Sequence, residues 1–571
     1  MNPRLTLRTT RSLNPILLWI APLLFMALFY FFPLASILRI SFERSQTGII
    51  DPFLQVFRSP GIRQVIRFTF WQAGLSTLLT MLVGLPGAYL MARYDFPGKS
   101  TIRAISGISF VLPALVVAAA FNALLGPRGW VNTFLMGTFD FSRPPVQFLY
   151  SLWAILLAHI FYNTTIVLRL VGDFWSHLDP RLEQAARVLG ANRWETLTRV
   201  TYPLLAPGIW AAVLLIFLYD FTSFGVILVL GGPRFATLEV EIYNQTIGLF
   251  NLPLAASLAV IQLVCTLGIT VAYTRMTAKV SQPLSLKPQR FTQKRLTSWR
   301  SKLLAGVYLF ILLSLLILPL LALLTRSVTI FSPSANEAPQ FTLDYYQALS
   351  SDQNQGLFYV PPATAIAISL GYALCTVLLT LGIGLPAAWA LARNGQSTAN
   401  KLFDPLLMLP LGTSAVTLGL GFIVALDQPP LDLRASILLV PLAHTLVAFP
   451  FAVRSLAPSL RSIRPRLRQA SAVLGASPLQ VFRHIDLPLV ARAVLVAATF
   501  AFAISLGEFG ATALISRPEY PTVPVMIYRY LSRPGASNYG QAMALSVILS
   551  LVTAISILAI ERLRIADTGE F

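Results

Sequence analysis

Two carboxylic acids, Asp220 and Glu508, stand inside strongly apolar stretches, and so do two histidines, His159 and His444. Asn163 follows His159 by one helical turn. Ionisable groups in such settings are costly and mark function by default. An acid there could attract an organic cation or a metal ion, cap a helix, or close a gate. The histidines suit a shared interhelical hydrogen bond. Other chemistries lack their residues. The four histidines are scattered and form no metal cluster, and Cys265 and Cys375 both lie in apolar runs as small core hydrophobes. No Ser-Lys, two-Asp or His-Glu-x-x-His set exists for an intramembrane enzyme. Gly98-Lys99-Ser100 imitates the end of a phosphate-cradling loop, but position 93 is Arg where that loop needs Gly.

The elements that must hold these residues are membrane helices. Of 571 residues, 56% are hydrophobic and 12% charged, about half the charge of a soluble globular chain. The mean hydropathy is +0.69. A helix crosses the hydrocarbon core with about 20 apolar residues. Such runs lie near 15–40, 68–92, 104–125, 147–170, 207–231 and 254–275, then near 302–325, 364–391, 403–426, 436–456, 491–515 and 541–560. The first run follows Arg4, Arg8 and Arg11 and is too long for a signal peptide, so it reads as an uncleaved first span.

The two sets of six match. Gly84-Leu85-Pro86 with Arg93 recurs 300 residues later as Gly384-Leu385-Pro386 with Arg393. Leu157-Ala158-His159 recurs as Leu442-Ala443-His444 at an offset of 285, which then holds without a gap. It pairs Arg169 with Arg454, Gly190 with Gly475, Pro203 with Pro488, Ser223 with Glu508, Gly225 with Gly510, and Tyr243 with Tyr528. This is an internal duplication. Six spans per half is an even number, so the halves are parallel repeats about an axis along the membrane normal. The fold expected is an all-α polytopic membrane protein of twelve helices. Residues 1–275 form the first repeat, 276–301 a polar cytoplasmic linker, and 302–571 the second repeat.

The formal charge of +20, from 43 basic and 23 acidic residues, would suit nucleic acid. Location argues otherwise. With the N-terminus inside, 30 basic residues fall on the cytoplasmic side and 13 outside. This is an orientation signal that places both termini in the cytoplasm, and it gives no support to nucleic-acid binding.

Between the fourth and fifth spans of each half lies a long loop, 173–205 in the first repeat and 458–490 in the second. Pro180 and Pro465 suit the first helical turn, and Gly190 and Gly475 suit a stop. Each loop should hold a short helix with Leu182, Ala186 and Leu189, or Leu467, Ser471 and Leu474, on one stripe. Two copies at matching positions read as docking knobs for a two-fold symmetric partner. The pattern resembles the cytoplasmic loop of binding-protein-dependent ABC importer permeases, E-A-A-x-x-x-G followed after nine residues by I-x-L-P. Gln184-Ala185-Ala186 with Gly190, Val200 and Pro203 match it, as do Gln469-Ala470-Ser471 with Gly475, Ile485, Leu487 and Pro488. Both copies replace the leading Glu by Gln, and Tyr202 replaces the Leu in the first.

The resemblance covers nearly the whole chain and is to the fused permeases of the ferric-iron and thiamine class. Arg67-Phe68-Thr69-Phe70-Trp71-Gln72-Ala73, Leu230-Gly231-Gly232-Pro233 and Ser505-Leu506-Gly507-Glu508-Phe509-Gly510 look closest to the thiamine type. It implies a bacterial inner-membrane permease with no catalytic residue and no bound cofactor of its own. ATP and Mg are used by two copies of a separate ATPase subunit seated on the docking loops, and an external binding protein delivers thiamine, thiamine phosphate or ferric iron. It also implies that the fifth spans line the path, so Asp220, Ser223, Gly225, Gly507, Glu508 and Gly510 are gate candidates, the glycines allowing the two fifth helices to approach closely. The competing class is a twelve-span secondary transporter. It would place coupling charges in several spans, where this chain offers Asp220 and Glu508.

Overall fold

A backbone in lipid must satisfy its N–H and C=O groups within the segment, so long uncharged apolar runs become helices. The computed structural model describes residues 15–43, 56–280, 293–330, 340–350, 360–393, 398–427 and 431–565. In the first repeat α1 is Leu18–Phe42, α2 Pro60–Arg93, α3 Lys99–Val111, α4 Ala114–Leu125 and α5 Leu152–His177. Then come α6 (Pro180–Val188), α7 (Arg193–Phe221), α8 (Gly225–Leu230), α9 (Leu238–Tyr243) and α10 (Leu252–Val280). The second repeat has α11 (Trp299–Ser327), α12 (Pro362–Arg393), α13 (Thr398–Met408), α14 (Ala415–Ala425) and α15 (Leu439–Ser462). It ends with α16 (Pro465–Val473), α17 (Ala491–Gly507), α18 (Gly510–Ile515), α19 (Val523–Leu531) and α20 (Ala536–Ile565).

Among the described residues ten helices are long and apolar enough to cross a membrane, or up to 12 if each of two sharply bent pairs is one span. One of these bends, and the matching break in the first repeat, have identifiable causes. The run expected at 104–125 breaks between α3 and α4 at Pro113, which has no N–H to continue the ladder. At the equivalent place Asn400–Gly412 meets α14 at 98°. There Ser414 Oγ accepts from the backbone N–H of Val416 and Thr417, at 3.1 and 3.3 Å, and starts a new helix. The runs expected at 207–231 and 491–515 stop early, at Phe221 and Gly507, and resume as the short helices α8 and α18. Of the expected linker, residues 281–292 lie outside the described residues, as do Arg4, Arg8 and Arg11. Its flanks are helical, since α10 continues to Val280 and α11 begins at Trp299.

By contact the chain divides into two compact units, Met1–Arg39 with Ile366–Tyr520 and Ile555–Phe571, and Ile40–Ala365 with Pro521–Ala554. These units cut across the sequence repeats. In the first unit α1 lies in the core of the second repeat. Trp19 packs on Phe403 with ring centroids 4.8 Å apart, and the hydroxyls of Tyr30 and Thr413 are 2.7 Å apart. In the second unit α11 lies against α2 and α4 of the first repeat. Tyr308 donates to the Val83 carbonyl at 2.8 Å, and Arg326 donates to Thr133 Oγ1 at 3.0 Å. Each repeat has therefore lent its first helix to the other.

Within the second unit α2, α5 and α7 enclose Met81, Ala88, Ile166, Val167, Val171, Ala212 and Ile216. Gly84 allows the close approach, because a Cβ there would lie 2.6 Å from Val167 Cβ. At Gly384, its equivalent, a Cβ would meet Ala452 Cβ at 3.6 Å and Phe449 Cδ2 at 4.0 Å, both ordinary contacts. Gly84→Ala should therefore destabilise the protein by about 1–3 kcal/mol through overpacking. Gly384→Ala should be neutral or stabilise by up to about 1 kcal/mol, as Ala replaces Gly in a helix. Thermal unfolding of the two variants in detergent checks the contrast.

Candidate functional site

Both loop helices form where Pro and Gly frame them. Pro180 opens α6, and Asp179 caps it by accepting from the Arg181 N–H at 3.0 Å. Gly190 ends it at φ +91° and Gly475 ends α16 at φ +87°, a left-handed conformation that a side chain would strain. No residue of either helix is buried. Val188 and Leu189 are 87% and 88% exposed, and their equivalents Val473 and Leu474 are 84% and 87% exposed. Leu182, Trp194, Leu467 and Leu479 add to these apolar tips. Gln184 and Ala185 are exposed and Ala186 half-buried, and Gln469, Ala470 and Ser471 repeat that pattern. Pro203 and Pro488 are exposed where the fifth helices begin.

Each loop helix is held by a polar bracket that the sequence reading missed. On α6 the Glu183 carboxylate pairs with the Arg93 guanidinium at the end of α2 and accepts from Thr201 Oγ1 at 3.0 Å. The equivalents of Glu183 and Thr201 are Arg468 and Asp486. Arg468 Nε donates to Asp486 Oδ1 at 2.7 Å, and Trp389 Nε1 of α12 donates to Asp486 Oδ2 at 3.1 Å. The bracket is kept and its polarity reversed, with the acid on the loop helix in one repeat and on the stem of the fifth helix in the other. Opposite charges at paired positions of the duplication are the signal that could have revealed it.

The intramembrane candidates form a second matched set. In the first repeat His159 Nε2 lies 2.9 Å from Ser223 Oγ, and its Nδ1 lies 3.3 Å from Asp220 Oδ1. Asn163 donates to Asp220 Oδ1 at 2.7 Å, and Gln72 donates to the Asp220 carbonyl at 2.8 Å. In the second repeat His444 Nδ1 lies 2.8 Å from Ser505 Oγ, and its Nε2 lies 3.2 Å from Glu508 Oε2 and 2.8 Å from Thr512 Oγ1. Ser505 is the equivalent of Asp220, and Glu508 is the equivalent of Ser223. Acid and serine have exchanged places around the same histidine.

These placements give the acids local work. Glu508 follows α17 and caps α18, its carboxylate accepting from the Ala511 and Thr512 N–H groups at 2.8 and 3.1 Å. Asp220 is in the last turn of α7, and Ser223 sits in the break before Gly225 opens α8. A Cβ on Gly510 would meet Ala415 Cβ at 3.0 Å, so the close approach recorded there is of α18 to α14. Gly507 is the last residue of α17. Among the described residues no group of three or more His, Cys, Asp or Glu is placed to hold a metal ion.

A family model described as "Binding-protein-dependent transport system inner membrane component" matches residues 84–337 and 380–564. The thiamine transport system permease protein ThiP of Escherichia coli (strain K12) is 27% identical over 522 residues, covering 90% of this chain and 91% of that protein. Its namesake in Brucella abortus (strain 2308) is 28% identical over 495 residues, covering 86% and 85%. The Haemophilus influenzae protein of that name is 27% identical over 536 residues, covering 92% of each. A solved bacterial alginate ABC transporter, in complex with an alginate pentasaccharide-bound periplasmic protein, aligns over 47% of this chain and 94% of its own at 22% identity and a TM-score of 0.39.

If the histidine clusters are alternative solutions to one bonding problem, moving the acid should be tolerated where deleting it is not. Asp220→Ser should cost about 1–3 kcal/mol, the usual loss on removing a partner from a buried polar group. Asp220→Ser combined with Ser223→Glu copies the second repeat and should recover most of that loss. Unfolding midpoints of the single and double variants in detergent decide it.

Proposed function

The chain belongs to the family of binding-protein-dependent transport system inner membrane components, and on that premise we propose how it couples to its partners and what it carries. As a permease of an ABC importer it supplies the membrane path for a solute brought by a binding protein. The partners at the other face are two copies of a separate ATPase subunit, one on α6 and one on α16. ATP and Mg act there, in the partner. In this reading both docking loops and both termini face the cytoplasm, an orientation that the excess of basic residues on that side supports.

One observation carries this reading: two equivalent apolar tips stand in the open on helices that are tied firmly at their bases. Val188 and Leu189, like Val473 and Leu474, each gain about 1.5–3 kcal/mol when fully buried, enough for two small knobs to seat in matching grooves. The brackets then say where a push on the knob goes. Displacing α6 drags Glu183, which is bonded to the end of α2 and, through Thr201, to the stem of α7. Displacing α16 drags Arg468, bonded through Asp486 to α12 and the stem of α17. In both repeats closure of the ATPases is delivered to the second and fifth spans, and the fifth ends in the break that holds the histidine cluster.

The solute we assign is thiamine or thiamine phosphate in preference to ferric iron, on the names carried by relatives that match nearly the full length. A secondary transporter would leave the exposed tips and their brackets without a purpose.

The test is co-purification with the ATPase, followed by ATP hydrolysis with the binding protein loaded with thiamine or with ferric iron. Hydrolysis should rise with thiamine and not with iron. Deleting 181–190 should abolish ATPase association on that side, and Leu189→Glu should weaken it by about tenfold or more, the value of one buried leucine. A complex that survives loss of both loop helices would overturn the docking assignment.

A further inference from the structure

The segment that joins the repeats ends in a basic cluster that the proposed function does not use. Lys294, Arg295, Arg300 and Lys302 fall within nine residues, and the chain has no acid between Glu241 and Glu337. All four residues are exposed, and among the described residues none of them enters a salt bridge. Trp299, in their midst, is 74% exposed. An orientation signal needs only the number of such residues on one side of the membrane. Here they are also arranged.

Two tethers within the second unit fix where the cluster stands. Lys294 and Arg295 form a short parallel strand pair with Tyr94 and Asp95, Tyr94 opposite Lys294 and Asp95 opposite Arg295. Gln293 Nε2 donates to the Met91 carbonyl at 3.5 Å. Arg93, between these contacts, is the residue that holds Glu183 of α6. The cluster therefore lies at the docking-loop end of α2. From there α11 runs with Ala305, Leu312 and Leu316 buried and Tyr308 bonded to the Val83 carbonyl. That rotation leaves Arg300, Leu304, Val307 and Ile311 on one outward stripe, at helical spacings of four, three and four residues. The three apolar members are 72%, 52% and 60% exposed.

An exposed apolar stripe headed by a guanidinium, with a tryptophan beside it, matches one kind of molecule. Acyl chains cover the stripe, an indole sits at headgroup level, and an arginine takes a phosphate through paired N–H groups. A zwitterionic headgroup brings its own cation into a cluster that has no acid to receive it. A headgroup of net negative charge does not. Basic clusters at the cytoplasmic end of a membrane helix recognise anionic lipid for this reason.

We propose that Lys294, Arg295, Trp299, Arg300 and Lys302 bind the headgroup of an anionic phospholipid from the leaflet on the docking-loop side. Its acyl chains lie along Leu304, Val307 and Ile311. The bound headgroup steadies the strand pair and, through Arg93, the base of α6. This last step rests on the assignment of α6 as an ATPase seat, whereas the lipid site does not.

The site is tested on the detergent-purified complex with its ATPase and binding protein, by native mass spectrometry with phosphatidylglycerol and phosphatidylcholine as probes. Phosphatidylglycerol should bind about tenfold or more tightly, and Arg300→Gln combined with Lys302→Gln should remove most of that preference, since each basic residue near an anionic surface is worth about fivefold. Exchanging the two as Arg300→Lys with Lys302→Arg keeps both charges and should hold the preference within about threefold of the unaltered protein. Raising the salt should diminish it. Equal binding of the two lipids, a preference indifferent to salt, or full retention of it in the double Gln variant overturns the site. Displacement of the lipid by free sn-glycerol 3-phosphate overturns the lipid as occupant in favour of a soluble phosphate. For the coupling, ATP hydrolysis stimulated by the loaded binding protein is followed in proteoliposomes as phosphatidylglycerol replaces phosphatidylcholine. It should rise by about twofold or more in the unaltered complex and stay flat in the double Gln variant, as a ligand that favours one state requires. The same response in both proteins overturns the coupling to α6. A permease that holds no ATPase refutes the docking assignment, while lipid binding by the permease still decides the site.

Discussion

A polar side chain among apolar helices must find its partner inside the protein, because the alternative is hydrocarbon. The structure is organised around that constraint. His159 and His444 each sit near the start of a span, and each meets the end of the fifth helix of its repeat and a side chain from that helix's broken tip. One acid and one serine stand beside the histidine in both repeats: both ring nitrogens of His444 are hydrogen-bonded, whereas His159 bonds Ser223 through Nε2 and its Nδ1 stands 3.3 Å from Asp220 Oδ1. The fifth span breaks just there: α7 ends at Phe221 and α17 at Gly507, and Ser223 and Thr512 beyond the breaks contact the histidines.

The loop helices obey the same rule at the water's edge. Glu183 and Arg468 occupy equivalent positions with opposite charge, and each finds a complement on the stem or the neighbouring helix. Duplicated genes conserve such arrangements as pairs, since changing one member alone leaves a charge stranded in a poorly hydrated place. Asp486 and the Arg468 that answers it are 1% and 18% exposed, in the range where loss of one partner costs about 3–5 kcal/mol. What persists between the repeats is therefore the pairing, and the residue types are free to trade places.

This explains how much of the molecule could be read in advance. The spans, the duplication and the two loop helices were legible because hydropathy, register and Pro/Gly framing are written along one dimension. Pro113 marked a break that a hydropathy window slides over. At the matching site Thr413-Ser414 makes the break with a side-chain cap, which composition alone does not announce. The brackets and the exchanged acid and serine were hidden for another reason. A search for repeats rewards identity, and at 183/468, 201/486, 220/505 and 223/508 the repeats differ. The lending of first helices was hidden most deeply, because α1 and α11 are apolar almost throughout and their sequences do not say whose core they suit.

That last feature sets a timetable for synthesis. Tyr30 meets Thr413, 383 residues further along the chain. At about 5–20 residues per second of elongation, α1 waits roughly 20–80 seconds in the bilayer before its own neighbours emerge. Through that interval its aromatic face, Trp19, Phe25 and Phe29, has only lipid or a helper protein to lean on. The first span made is among the last to be placed.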